Sequence, residues 1–221
     1  MTIKNAVKNK HVVACSGGKD SVATILTALE YNEPLDEVTW VEVMFDKETS
    51  GEVPEHRDFV YNSLKPFCEE NGIRFTVLHS SKTYEDVFHQ TFKEYKRRQE
   101  SSIVFYIGIA ADEPKRLERL NNKTEVSLLA KYGIAEKDAL ELCKKNNLLS
   151  PVYEISRRNG CWFCPYAKDK EILHFLKNNS NTFDKLIEWE KEENLSCYCM
   201  NFTEKPSEIK ARLLSANWNK K

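Results

Sequence analysis

The sequence predicts an α/β fold built on a mostly parallel sheet with a helical, cysteine-bearing C-terminal extension. Three observations carry that expectation. Apolar runs rich in β-branched residues alternate four times with stretches of helical spacing before Asp112, the pattern of strands joined by helical crossovers. The first of these runs ends in Gly17-Gly18, in a chain of 221 residues with only seven glycines. After Asp112 strand-like runs become scarce and helical spacing dominates.

Taken in order, His11-Val-Val-Ala-Cys15 reads as a short buried strand. Asp20 to Tyr31 follows as a helix, with Val22, Ile25, Leu26 and Leu29 on one face. Glu37 to Phe45 is a second strand, and Pro54 starts a helix that runs to Asn71. Ile73 to Leu78 is a third strand, Tyr84 to Arg98 a helix, and Ser102 to Ile109 a fourth strand. Lys115 to Leu120, Glu125 to Tyr132 and Glu136 to Asn146 read as helices. A Cys-rich turn (Cys161-Trp-Phe-Cys164-Pro165), two helical stretches, the pair Cys197 and Cys199 and a last helix from Ser207 to Asn217 complete the chain. A soft boundary near residue 120 divides a sheet domain, 1–120, from the extension, 121–221.

Lys and Arg total 33 against 34 Asp and Glu, a net charge of −1, so no global charge advertises a nucleic-acid or membrane partner. With 41% hydrophobic and 30% charged residues the chain is expected to be globular rather than disordered. No apolar run approaches the ~20 residues of a membrane span, and MTIKNAVKNK lacks an apolar signal segment. The expectation is a soluble, cytoplasmic protein without a membrane partner. Seven cysteines, an odd number, then read as buried apolar side chains, metal ligands or reactive thiols rather than as disulfides.

Ser16-Gly17-Gly18-Lys19-Asp20-Ser21 stands between the first strand and the first helix. In an open parallel sheet ligands bind beyond the carboxyl ends of the strands. Two glycines let the backbone approach an anion, and a helix N-terminus offers N–H donors and a positive dipole end. Lys19 adds a full charge, and Ser16 and Ser21 add hydroxyls. These parts suit a phosphate. The loop is not a Walker A motif, because Val13 and Asp20 stand where that motif needs Gly and Ser or Thr.

SGGKDS after the first strand resembles the PP-loop of the ATP pyrophosphatase and phosphoadenosine-phosphosulfate (PAPS) reductase superfamily. Asp46 through Gly51, Glu52 and Pro54-Glu55 is similar to that family's DTGxExPE stretch, with extra residues between Asp and Gly. Ile107-Gly108-Ile109-Ala110-Ala111-Asp112-Glu113 with Arg116 resembles its GIRADExxR segment, with Ala110 in place of the Arg. Tyr132 through Cys161-Trp-Phe-Cys164-Pro resembles the tail of small phage-type PAPS-reductase-like proteins. The resemblance implies an adenine-nucleotide alpha hydrolase-like fold. It implies that Ser16, Gly17, Gly18, Lys19 and Ser21 hold the phosphates of an adenine nucleotide. Asp46 would lie near the nucleoside, Gly108 would let the fourth strand end near the nucleotide, and Arg116 would reach an anion.

Two chemistries share that fold. Adenylating members use ATP and Mg²⁺, releasing pyrophosphate by charge stabilisation and positioning. PAPS reductases use a cysteine thiolate, and the tail from Phe202 to Lys221 contains no cysteine. The expected activity is therefore adenylyl transfer from ATP to an acceptor in sulfur or nucleotide modification, with Lys19 and Asp20 in the catalytic role. Sulfonucleotide reduction and non-catalytic nucleotide binding are the alternatives. Asp20 is a candidate Mg²⁺ ligand or a first-turn carboxylate that favours the helix start. Cys161-x-x-Cys164 is a half-site for zinc or an iron–sulfur cluster, with Cys143 and Cys199 as candidate further ligands; the alternative is a buried apolar turn. The basic run Lys93 to Arg98 with Arg157 and Arg158 is a candidate contact for tRNA or DNA, or a solvated helix face. A second copy of the chain, forming a homodimer, is also a candidate partner.

Overall fold

The computed structural model describes residues 9–80, 82–88, 103–121, 123–156, 160–192, 200–201 and 203–215. In chain order these form β1 (Lys10–Cys15), α1 (Lys19–Glu30), β2 (Glu37–Glu42), α2 (Pro54–Phe59), a π-helical turn (Val60–Leu64), α3 (Lys65–Glu70), β3 (Arg74–His79) and α4 (Tyr84–Phe88). They continue with β4 (Ile103–Tyr106), α5 (Pro114–Leu117), β5 (Glu125–Val126), α6 (Leu128–Lys131), α7 (Glu136–Lys145), α8 (Val152–Ile155), α9 (Asp169–Trp189) and α10 (Pro206–Leu214). Among the described residues no helix is long and apolar enough to cross a membrane.

The chain forms two compact units, each drawn from more than one stretch of the sequence. Of the described residues, the first takes in 9–42, 54–80 and those from 103 to 151; the second takes in 43–53, 82–88 and those from 152 to 215. The first holds a five-stranded sheet of order β3-β2-β1-β4-β5 in which every pairing is parallel. This is a Rossmann-like α/β sheet, as the alternation predicts. β1 is the middle strand of the five, and its Val12, Val13 and Cys15 are buried. α1 is buried from Ser21 to Ala28 and packs against β1, α6 and α7. The chain passes from β1 to β2 on one side while β4 lies on the other, so the order reverses at β1 and β4. The crevice beyond their carboxyl ends is where such sheets bind ligands.

The expected helix from Glu125 to Tyr132 is corrected. Glu125 and Val126 are a strand, because the edge of β4 takes its backbone partners there: Phe105 N–H donates to Thr124 O at 2.7 Å and Ile107 N–H to Val126 O at 2.9 Å. The helix begins only after Ser127, whose hydroxyl accepts Ala130 N–H and donates to Ile109 O at 2.6 Å. The second strand ends at Glu42, short of Phe45, which belongs to the core of the second unit. The expected helix from Pro54 to Asn71 forms as α2, the π-turn and α3 in succession. Of the expected helix from Tyr84 to Arg98, residues 89–98 lie outside the described residues.

The second unit packs around aromatic rings. Phe45 stacks on Trp189 with centroids 4.6 Å apart, Trp162 on Phe175 at 4.7 Å, and Tyr84 on Phe163 at 4.2 Å. Such pairs add about 0.5–1.5 kcal/mol each beyond the area they bury. The two helical stretches expected after the Cys-rich turn join end to end as α9, with a kink at Asn179 between them.

Candidate nucleotide-binding site

The loop after β1 closes on itself through short-range bonds. Ser21 Oγ donates to Gly18 O at 2.9 Å and accepts Ser16 N–H at 3.3 Å. Gly17 N–H donates to Cys15 Sγ at 3.2 Å, and Gly18 N–H to Ser16 Oγ at 3.3 Å. Gly17 has a φ of +73°, a left-handed conformation that costs a side-chain-bearing residue about 1–2 kcal/mol. Gly18 is the N-cap of α1 and makes no side-chain cap bond, so its absent side chain leaves the helix start open to an external acceptor.

Lys19 is the first residue of α1. Its Nζ donates to Asp20 Oδ1 at 2.7 Å and to Glu136 Oε1 at 2.8 Å, with 13% of the side chain exposed. Burial works against its charge, but the bonds to the two carboxylates outweigh that and raise its pKa. Asp20 is held above the usual carboxylate range first by burial, opposed by Lys19 and reinforced by the charges of Glu136 and Glu113. Asp112 supports the arrangement from the side: its Oδ1 accepts Glu136 N–H at 3.0 Å at the start of α7.

Gly108 stands just after β4. A Cβ there would lie 2.7 Å from Ser21 N and 2.8 Å from the Asp20 carbonyl carbon. The close approach that this glycine permits is thus to the backbone of the loop's own helix. Arg116 pairs through Nη1 with both oxygens of Glu113, at 2.6 and 2.7 Å, and Glu113 Oε2 also accepts Ala110 N–H at 3.2 Å.

His56 is a site residue that the motifs of the sequence do not single out. It lies on α2, fully buried, with Nε2 2.9 Å from Ser16 O and Nδ1 2.9 Å from Ser150 Oγ. Its ring also bounds the space beside Gly17, where an added Cβ would meet His56 Cε1 at 2.8 Å. A signal for it does exist: His56, Val60 and Leu64 recur every four residues and are all buried, so the histidine occupies the apolar stripe of its helix.

The remaining sequence candidates divide between the units. Asp46 belongs to the second unit, where Oδ1 accepts Glu48 N–H at 2.9 Å and Thr49 N–H at 2.6 Å and Oδ2 pairs with Lys185. Burial opposes its charge, but these donors prevail and lower its pKa to about 2. Cys143 belongs to the sheet unit; its thiol donates to Lys19 O at 3.2 Å, and burial pushes its pKa up to about 12. Cys161 and Cys164 share one turn of the second unit, with Cys164 N–H donating to Cys161 O at 3.1 Å. Burial, Glu52 and Cys164 together push the Cys161 thiol up to about 12. Both thiols line a cavity of about 70 Å³ with Val53, Ser156, Glu171 and His174. Among the described residues no three His, Cys, Asp or Glu side chains are grouped so as to hold a metal ion. Cys197, Cys199, Lys93 to Arg98, Arg157 and Arg158 lie outside the described residues.

No family model and no curated protein matches the chain. Among solved structures it is similar to the U34-tRNA thiolase NcsA from Methanococcus maripaludis with its [4Fe-4S] cluster, at 17% identity and a TM-score of 0.40, over 95% of this chain and 83% of that one. The fold assignment rests on the strand order and parallel register given above and not on this likeness.

Proposed function

We propose that this chain binds an adenine nucleotide at Ser16–Ser21 and uses ATP to adenylate an acceptor, with release of pyrophosphate, in sulfur or nucleotide modification. One observation carries the reading: the Gly17-Gly18 loop leaves the central strand where the sheet order reverses and opens α1, whose first residue is Lys19. A helix N-terminus with an adjacent ammonium suits a phosphate. The resemblance of SGGKDS to the PP-loop supports ATP among phosphate ligands.

Adenylyl transfer asks the protein for placement and charge stabilisation more than for proton transfer. Lys19 is suited to that task, because its raised pKa keeps it cationic at neutral pH. Its ammonium offsets charge gathering on the phosphate oxygens, while the carboxylates of Asp20 and Glu136 orient it between turnovers. Mg²⁺ is implied by the use of ATP, and the residues present fit it. Asp20 offers an oxygen donor whose negative charge is disfavoured by burial and by Glu136 and Glu113, which a cation relieves. Mg²⁺ needs only one or two protein carboxylates when phosphates supply further oxygens, and when bound it neutralises phosphate charge. Arg116 and Gly108 are proposed for the nucleotide side of this site.

Cys161 and Cys164 are proposed as half of a zinc or iron–sulfur site, with Cys199 as a further candidate. Cys143, whose thiol donates to Lys19 O and which forms no metal-holding group with them among the described residues, is not among the ligands. Two thiols from one turn, one of them disfavoured as thiolate by its surroundings, are a pair that a bound cation would stabilise. A tRNA or a DNA is the proposed class of acceptor.

Calorimetry with ATP and Mg²⁺, and separately with PAPS, on the wild type and Lys19→Ala tests the central claim. Binding of ATP that is lost in Lys19→Ala, with pyrophosphate and adenylylated acceptor formed when acceptor is added, is the expected result; AMP follows only when a nucleophile displaces it from the acceptor. Equal binding by both proteins refutes the site, and a preference for PAPS refutes the adenylating chemistry.

A further inference from the structure

We propose that His56 and Ser150 are a positioning pair that sets the orientation of the Ser16–Gly17 peptide and so presets the loop for phosphate. The inference rests on the nucleotide-binding reading and deepens it. The Ser16 carbonyl can only accept, so His56 Nε2 is the protonated nitrogen and donates to it at 2.9 Å. Nδ1 of the neutral ring then accepts the Ser150 hydroxyl, also at 2.9 Å. Burial lowers the imidazole pKa, opposed by the Ser16 carbonyl, which favours this neutral form.

The consequence lies in the geometry of a trans peptide. No peptide bond among the described residues is cis, so the Ser16 carbonyl and the Gly17 N–H point in opposite directions. One end is held by His56 and the other by Cys15 Sγ at 3.2 Å. With both ends bonded this peptide plane cannot rotate without losing two hydrogen bonds in a buried setting. Gly17 N–H is thereby committed to Cys15 Sγ, and donors to a phosphate come from the start of α1 rather than from this peptide. The same ring fills the space beside Gly17, where a Cβ would meet it at 2.8 Å, so packing and hydrogen bonding fix the loop together. His56 touches neither the nucleotide nor the reacting atoms in this account; it acts through Ser16 and Gly17.

The test combines three readouts on the full chain. A long-range proton–nitrogen spectrum of the wild-type imidazole is expected to show the neutral ring protonated at Nε2; protonation at Nδ1 overturns the proposal. Amide exchange at Gly17 is expected to quicken about tenfold in His56→Ala and to recover in His56→Gln, whose amide N–H₂ restores a donor to the Ser16 carbonyl. Affinity for ATP with Mg²⁺ is expected to fall about tenfold in His56→Ala and by less in His56→Gln. Folded His56→Ala with wild-type exchange and affinity overturns the proposal. Should His56→Ala fail to fold, Ser150→Ala and His56→Gln decide it: wild-type exchange at Gly17 in Ser150→Ala overturns the pair. A wild type that binds no ATP refutes the proposed function, while exchange and the ring tautomer still judge the pair.

Discussion

Replacing Gly17 by alanine separates two costs that the structure places at one residue. The first is backbone strain: φ is +73°, where a Cβ costs about 1–2 kcal/mol. The second is crowding. The new Cβ would lie 2.8 Å from His56 Cε1 and 2.8 Å from Val60 Cγ2, both fully buried and therefore unable to swing into solvent. Forcing a methyl group into a packed interior costs typically about 1–3 kcal/mol. Gly17→Ala should thus lose about 2–5 kcal/mol, a large part of the roughly 5–15 kcal/mol that holds a domain folded. Two internal controls carry the strain alone: Gly72 at φ +73° and Gly133 at φ +69°, with nothing within 4 Å of the added Cβ. Their alanine variants should lose only about 1–2 kcal/mol. Urea unfolding of the three variants at one temperature reads the differences directly. If Gly17→Ala costs no more than Gly72→Ala, the loop yields to the methyl group and the claim that His56 and Val60 confine it is wrong.

Other predictions rest on the same contacts. Gly108→Ala should disturb α1 more than Gly17→Ala does, since its Cβ would meet backbone atoms of Asp20 and Ser21 at 2.7–2.8 Å; loss of ATP binding with a lowered Tm is expected, and unchanged binding would show that the helix start can retreat. Trp162→Ala should cost about 3–5 kcal/mol through the cavity left against Phe45 and Phe175, measured by urea unfolding. Asp46 has a pKa lowered from 3.8 to about 2, so its stabilisation is complete above 3.8 and is lost as pH falls through about 2. Asp46→Asn should therefore flatten the fall in stability across that window, followed by circular dichroism. His56 also has a lowered pKa, so stability from its neutral form is complete above the usual 6.5 and declines as pH drops below it; His56→Gln should remove that decline in urea titrations at successive pH values.

Much of the sheet unit is legible in the sequence because its signals are local. A β-branched run that ends in two glycines and a helix-spaced stretch fixes β1, the loop and α1 from adjacent residues, and Lys19 and Asp20 come with them. The strand at Glu125 and Val126 is not legible, since two residues have no periodicity and only their pairing with β4 makes them a strand. His56 is one of five histidines that form no metal-spaced pair in the sequence, although its four-residue spacing with Val60 and Leu64 marks it for burial.

The sequence by itself determined the alternation of strands and helices, the phosphate-suited loop after the first strand and the paired thiols of the Cys-rich turn, because each depends on neighbours within a few residues. Tertiary structure alone decided that Glu136 shares Lys19 with Asp20, that Gly108 makes room for α1, and that His56 grips the Ser16 carbonyl. It also drew residues 43–53 and 82–88 into the unit that holds Cys161 and Cys164. Those pairings join residues far apart in the chain, and burial and hydrogen-bond geometry, which no local pattern encodes, select them.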